Sequence, residues 1–187
     1  MSFARLHKLP SMVLLGVKTG NLSKIASPDG RGTGSGSDRR NAAAATSIKQ
    51  FLDAATDTSI VSVHVIGQVR NAAAIARAVG FPVVGYSVIV ENGTARHAIK
   101  CHGDAQAEAK RGQIAVTRDD LARLPQLLGE FDTAEAAETT KQGIPQVRLT
   151  KRMQSICYEL YAEVKPKAKQ LVFKTMLKRR DRGDVPS

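Results

Sequence analysis

Residues 146–178 read QVRLTKRMQSICYELYAEVKPKAKQLVFKTMLK, and this stretch decides the fold. Its runs at residues 146–151, 155–164 and 169–178 are rich in Val, Leu, Tyr and Phe and are separated by short polar or Pro-containing connections. Such runs predict three strands. Connections this short make hairpins, so the strands are antiparallel neighbours. Upstream the pattern changes. Residues 41–55 (NAAAATSIKQFLDAA) have strong helix formers, with Ile48, Phe51 and Leu52 at helical spacing. Residues 59–66 alternate as a strand, residues 68–79 read as an Ala-rich helix ending at Gly80, and residues 82–90 read as a second strand closed by a Glu91-Asn92-Gly93 turn. Two or three helical pieces fill residues 94–138, with Thr117 as an N-cap and Asp119 and Asp120 complementing the helix dipole. Helices first and a strand meander last predict an α+β fold with helices packed on a twisted antiparallel β-sheet.

Residues 27–38, SPDGRGTGSGSD, hold nothing to bury and read as a linker. The expected layout is therefore an N-terminal strand plus linker at residues 1–40, a folded domain at residues 41–180 and a short tail at residues 181–187. The N-terminal piece has an apolar MVLLGV core. It is too short for a signal-peptide core or a membrane span and reads as a strand. Cys101 and Cys157 show no metal-ligand spacing, and buried free thiols are the expectation for a chain made in a reducing compartment.

The 28 Lys and Arg against 17 Asp and Glu leave a net charge of +11, which favours a polyanionic partner, nucleic acid foremost. Residues 118–138 hold six acidic and two basic side chains, whereas residues 141–180 hold eleven basic side chains against Glu159 and Glu163. The polyanion face is thus expected on the C-terminal sheet.

Polar chemistry concentrates in Arg96-His97-Ala98-Ile99-Lys100-Cys101-His102-Gly103. On a helix, His97, Lys100 and Cys101 share a face, and His102 lies on a different side unless the last turn unwinds. Glu108, Arg111 and Gln113 follow in a polar run that reads as a loop over the same site. Cleaving RNA without a metal requires a proton acceptor, a proton donor and cations for the phosphate. Histidine suits the first two roles and Arg or Lys the third. Against this, a histidine at a helix C-terminus also serves terminal carbonyls, and His64 inside an apolar strand reads as a hydrogen-bonded structural residue. His7, in the tail, carries little information. No HExxH, GxSxG, P-loop or zinc-finger pattern is present.

The ordered run Arg96-His97, Lys100, His102-Gly103, then Glu108, Arg111-Gly112-Gln113, then Thr117, Asp119-Asp120-Leu121, and finally Lys174-Thr175-Met176-Leu177-Lys178 resembles the phage-borne branch of the barnase/EndoU/colicin/RelE-like nucleases, over roughly residues 59–180. The resemblance implies a metal-independent endoribonuclease without cofactor, with His97, His102 and Thr175 as catalytic residues and Arg96, Lys100, Arg111 and Lys178 on the substrate phosphates. It further implies RNA as partner, a cytoplasmic (host-cell) or virion-associated location and no membrane, with phage head or portal components docking through residues 1–40. The competing reading is a non-catalytic virion or RNA-binding protein that keeps the fold. One difficulty stands: strict alternation puts Thr175 with Leu171, Phe173 and Leu177 on the core face.

Overall fold

The computed structural model describes residues 45–53 and 62–181. In chain order these form α1 (residues 45–53), β1 (Val63–Gln68), α2 (Ala72–Val79), β2 (Ser87–Glu91), α3 (Asn92–His102), α4 (Ala105–Lys110), α5 (Arg118–Ala122), α6 (Leu124–Gly129), β3 (Thr133–Ala137), β4 (Gln146–Met153), β5 (Ile156–Lys165) and β6 (Gln170–Arg180). His7, the expected N-terminal strand, the run at residues 27–38 and the tail after Asp181 lie outside the described residues. No helix among the described residues is long and apolar enough to cross a membrane.

The strands form one sheet in the order β1-β2-β6-β5-β4-β3, giving the expected α+β architecture. Every pairing is antiparallel except β2 with β6, which is parallel, so the sheet is mixed. The three C-terminal strands fall where the β-branched and aromatic runs predict them. The helices lie on one face, α3 against β6 and β2, α2 against β3 and β4. Between them and the sheet sits an apolar core that includes Ile75, Leu121, Leu127, Leu149, Leu160 and Phe173. The opposite face is mixed: Arg148 pairs with Glu135, Arg179 with Glu159 and Lys174 with Glu163, while Ile89 and Val172 lie buried on it and Val63 and Val65 exposed.

Local signals explain most boundaries. The Asn71 side chain accepts from the Ala74 N–H at the start of α2, and Gly80 ends it at φ 82°, where a side chain would be strained. Thr117 and Asp120 form a reciprocal capping box at the start of α5. His64 is structural as expected: its Nε2 lies 3.1 Å from the Ser47 hydroxyl and its ring stacks on Phe51. Burial alone lowers its pKa below the usual 6.5.

Four expectations change. Residues 133–137, TAEAA, are a strand and not helix, because pairing with β4 across its whole length overrides the helix propensity of Ala and Glu. Glu91-Asn92-Gly93 is no turn: α3 begins at Asn92, whose buried side chain accepts from the N–H groups of Ser62 and Gly93. Gln68 belongs to β1, and the helix after it starts at Ala72. Finally, β6 carries a bulge. Ala162 pairs with Phe173 but Tyr161 pairs with Thr175, so Lys174 is an extra residue. The core-side row of β6 therefore runs Leu171, Phe173, Met176, Lys178, opposite Val164, Ala162, Leu160 and Tyr158. Thr175 leaves that row, which resolves the difficulty that alternation posed.

Candidate functional site

The two histidines of α3 face different ways. The helix persists through His102, with Gly103 still right-handed, so a separation of five residues turns them roughly 140° apart. His97 is exposed and its ring nitrogens lie 3.5 and 3.7 Å from the Cys101 sulfur. Cys101 is exposed too, contrary to the expectation of burial. Arg96 and Lys100 border a small hollow between α1, α3 and α5 that Arg118 also lines.

His102 turns inward. Its Nδ1 lies 3.5 Å from Oε2 of Glu108, a carboxylate wholly shielded from solvent, while 18% of the His102 side chain is exposed. The other oxygen, Oε1, accepts from the Arg111 guanidinium at 2.5 Å. Asp104 caps α4 through the Ala107 N–H, and the chain then turns at Gly112, φ 70°. The N–H groups of Arg111 and Gln113 both donate to the Glu108 carbonyl, and the Val116 N–H donates to the carbonyl of His102. These bonds hold the three side chains as one unit. EAKRGQ is therefore half helix and half turn, and not simply a loop. Nδ1 of His102 and Oε2 of Glu108 are buried and make no hydrogen bond among the described residues, so the 3.5 Å approach is an electrostatic contact and not an orienting hydrogen bond.

Arg111 also reaches a groove of about 1050 Å³ at the end of the sheet formed by the last residues of β4 and β6 and the first of β5. The Gly112 loop and α4 wall it. Its lining contains a cross-strand row, Arg152 opposite Cys157 opposite Arg179, and Arg180, which by alternation lies on the other side of β6. Burial and then the Glu159 carboxylate push the Cys157 thiol up, so it remains a neutral thiol and not a nucleophilic thiolate. Arg179 is held by Glu159, and Arg152 lies 3.8 Å from Asp181.

Lys178, expected on a phosphate, is engaged elsewhere. Its Nζ lies 3.0 Å from both oxygens of Asp120. The same carboxylate accepts from the Tyr158 hydroxyl at 2.8 Å and from the Thr117 N–H and hydroxyl, each at 2.8 Å. Burial pushes the Asp120 carboxyl upward, but these donors outweigh it and hold it below the usual 3.8. Burial, then the Asp120 bond, pushes the Tyr158 hydroxyl up to about 12.

The structure thus brings His102 and Arg111 to one carboxylate and Arg96 and Lys100 to one hollow, turns His97 to a different side of α3, and pairs Lys178 with Asp120. Thr175 sits at the bulge with its Oγ1 buried and without a hydrogen-bond partner among the described residues. Sequence reasoning passed over Glu108 as the carboxylate between His102 and Arg111, Asp120 as anything beyond a dipole partner, and Arg152, Arg179 and Arg180 as members of one groove. Only the Arg179-Arg180 doublet at the end of a strand run carried a readable signal. Among the described residues no three His, Cys, Asp or Glu side chains are grouped to hold a metal ion.

Residues 64–183 match the phage-Barnase-EndoU-ColicinE5/D-RelE like nuclease 3 family, and the chain belongs to that family. Neither the curated proteins nor the solved structures hold a significant match to it.

Proposed function

We propose, on the premise that this chain belongs to a nuclease family, that it is a phage-borne endoribonuclease cleaving RNA by proton transfer without a metal ion. The reaction is centred on His102, Glu108 and Arg111. The observation that carries this reading is the fully buried Glu108 carboxylate shared between His102 and Arg111. A charge so placed costs several kcal/mol unless it is compensated. Here it accepts from the Arg111 guanidinium on one side and stands 3.5 Å from the His102 ring on the other, close enough to stabilise the imidazolium that proton transfer would form. His102 Nε2 takes the proton from the ribose 2′-hydroxyl. The 2′-oxygen attacks the adjacent phosphorus, the bond from phosphorus to the 5′-oxygen breaks, the leaving 5′-oxygen takes a proton from water, and a 2′,3′-cyclic phosphate forms while the His102 imidazolium returns its proton to solvent. Arg111 neutralises the charge that grows on the phosphoryl oxygens. His97 is the second proton-transfer candidate, with Arg96 and Lys100 as phosphate contacts beside it.

The test is cleavage of total RNA in EDTA by the wild type, His102→Ala, Glu108→Gln and His97→Ala, each checked by thermal melting. His102→Ala is expected to stay folded, with a lowered melting temperature because a largely buried ring is removed from beside Glu108, and to lose about 10²–10⁴-fold in cleavage rate, the usual worth of a positioned acid or base. A loss confined to His97→Ala moves the chemistry to the exposed face of α3. Activity abolished by EDTA ends the metal-free reading. A wild type that cleaves no RNA favours the non-catalytic virion protein.

A further inference from the structure

We infer that the groove between α4, the Gly112 loop and the ends of β4, β5 and β6 is the path of a single-stranded RNA chain, held by its phosphates and not by its bases. This rests on the nuclease reading for its choice of polyanion. The groove has four guanidinium groups in its lining, those of Arg111, Arg152, Arg179 and Arg180, against the carboxylates of Glu159 and Asp181. Three of the four have a carboxylate beside them, Glu108, Asp181 and Glu159 respectively. Each guanidinium carries five N–H donors, so a neighbouring carboxylate fixes its direction and still leaves donors for a phosphate oxygen. Arg180 forms no ion pair with a described residue. The row Arg152–Cys157–Arg179 spans three adjacent strands, which spaces its outer arginines about 10 Å apart at the strand separation of a sheet. That is a track of separate anchors and not one anion pocket.

The nature of the strand is read from the rest of the lining. Among the described residues no aromatic side chain lines the groove, so successive bases find no stacking platform of the kind that single-strand binders use for base affinity. Binding through guanidinium groups alone is insensitive to sequence and steeply dependent on salt. A volume of about 1050 Å³ sits at the top of the range for small-molecule sites, and so admits a few nucleotides but not a duplex. The chemistry agrees. In-line attack by a 2′-oxygen requires the backbone to leave its stacked helical geometry, which an unpaired strand does freely. Arg111 belongs both to the groove and to the Glu108–His102 unit, so it is the point where the track meets the reacting phosphate.

The experiment measures fluorescence anisotropy of a labelled 2′-O-methyl RNA 12-mer, which cannot be cleaved, on the full chain across a potassium chloride series. The variants are Arg179→Gln/Arg180→Gln and, as a control, Lys141→Gln/Lys167→Gln. The control removes equal charge from two exposed turns at the opposite end of the strands. The groove pair is expected to weaken binding at least tenfold at low salt and to flatten the log–log salt slope by about 1.4, two phosphate contacts at about 0.7 each. The control pair should change the slope by much less. Equal effects from both pairs mean diffuse attraction and overturn the groove. So does wild-type binding by the groove pair. Tighter binding of duplex than single strand overturns the single-strand path, and affinities differing more than tenfold between oligo(A), oligo(U) and mixed sequences overturn backbone recognition. Tight binding of an acidic protein with indifference to RNA identifies a protein partner in its place. Because the probe is not cleaved, groove-dependent binding by a chain that cleaves nothing sustains the groove while the catalytic reading fails.

Discussion

Lys178 grips both carboxylate oxygens of Asp120 at 3.0 Å although 58 residues separate them in sequence. The pair joins the last strand to the first turn of α5, and both side chains are largely shielded, with 15% and 3% exposed. Removing one partner of a buried pair leaves the other charge uncompensated, which costs about 3–5 kcal/mol. Lys178→Met should therefore lower the melting temperature by about 6–20 °C for a domain of this size. Lys178→Met/Asp120→Asn should be less destabilised than the sum of the single variants by about 1–3 kcal/mol. Additive losses in denaturant titrations of the four proteins would show that the two groups do not depend on each other.

The same cluster sets a pH window for stability. Asp120 has its folded pKa below 3.8, so its contribution is fully present above 3.8 and is lost as the pH falls through the folded value. Tyr158 is shifted the other way, from 10.0 to about 12. Its contribution is fully present below pH 10.0 and is lost as the pH rises through about 12. Melting temperature against pH should show both limbs. Asp120→Asn should flatten the acid limb and Tyr158→Phe the alkaline one. A Tyr158→Phe profile with an unchanged alkaline limb would place the titrating group elsewhere.

Thr175 provides a third test. Its hydroxyl oxygen is buried without a hydrogen-bond partner among the described residues, and an unsatisfied buried hydroxyl costs about 1–3 kcal/mol. Thr175→Val has nearly the same shape, so its melting temperature should equal or exceed that of the wild type. A fall of several degrees would mean that the hydroxyl is bonded in solution. Cleavage measured beside it decides the family-derived role: lowered cleavage with stability kept retains Thr175 in the reaction, and unchanged cleavage removes it.

How much of this was legible in the sequence depends on the range of the interaction that decided it. The β4–β5–β6 meander was readable because Tyr158, Leu160, Ala162 and Val164 alternate and the connections are short. The α5 start was readable because Thr117 and Asp120 cap each other within four residues. β3 was not, since Thr133–Ala137 becomes a strand only through its partner β4. Nor was the parallel contact of β2 with β6, between segments some eighty residues apart in sequence. At the site, the polar run around Glu108 and Arg111 stood out by composition. That Glu108 is buried against His102, while Lys178 turns to Asp120, is decided by tertiary packing to which composition is blind.

The bulge in β6 has a bearing on chain length as well as on geometry. Residue 174 belongs to no cross-strand pair, so the strand is two rulers laid end to end with one division to spare between them. A change of length at that joint is absorbed, because Phe173 and Thr175 already occupy consecutive places in the ladder. One residue lost between Thr175 and Lys178 would interchange inside and outside for the rest of the strand, bringing the Arg179 guanidinium to Asp120 and turning the Lys178 ammonium to the opposite face. The interior and the exterior of this protein are thus written along one strand in two phases, and a single supernumerary residue keeps them in step.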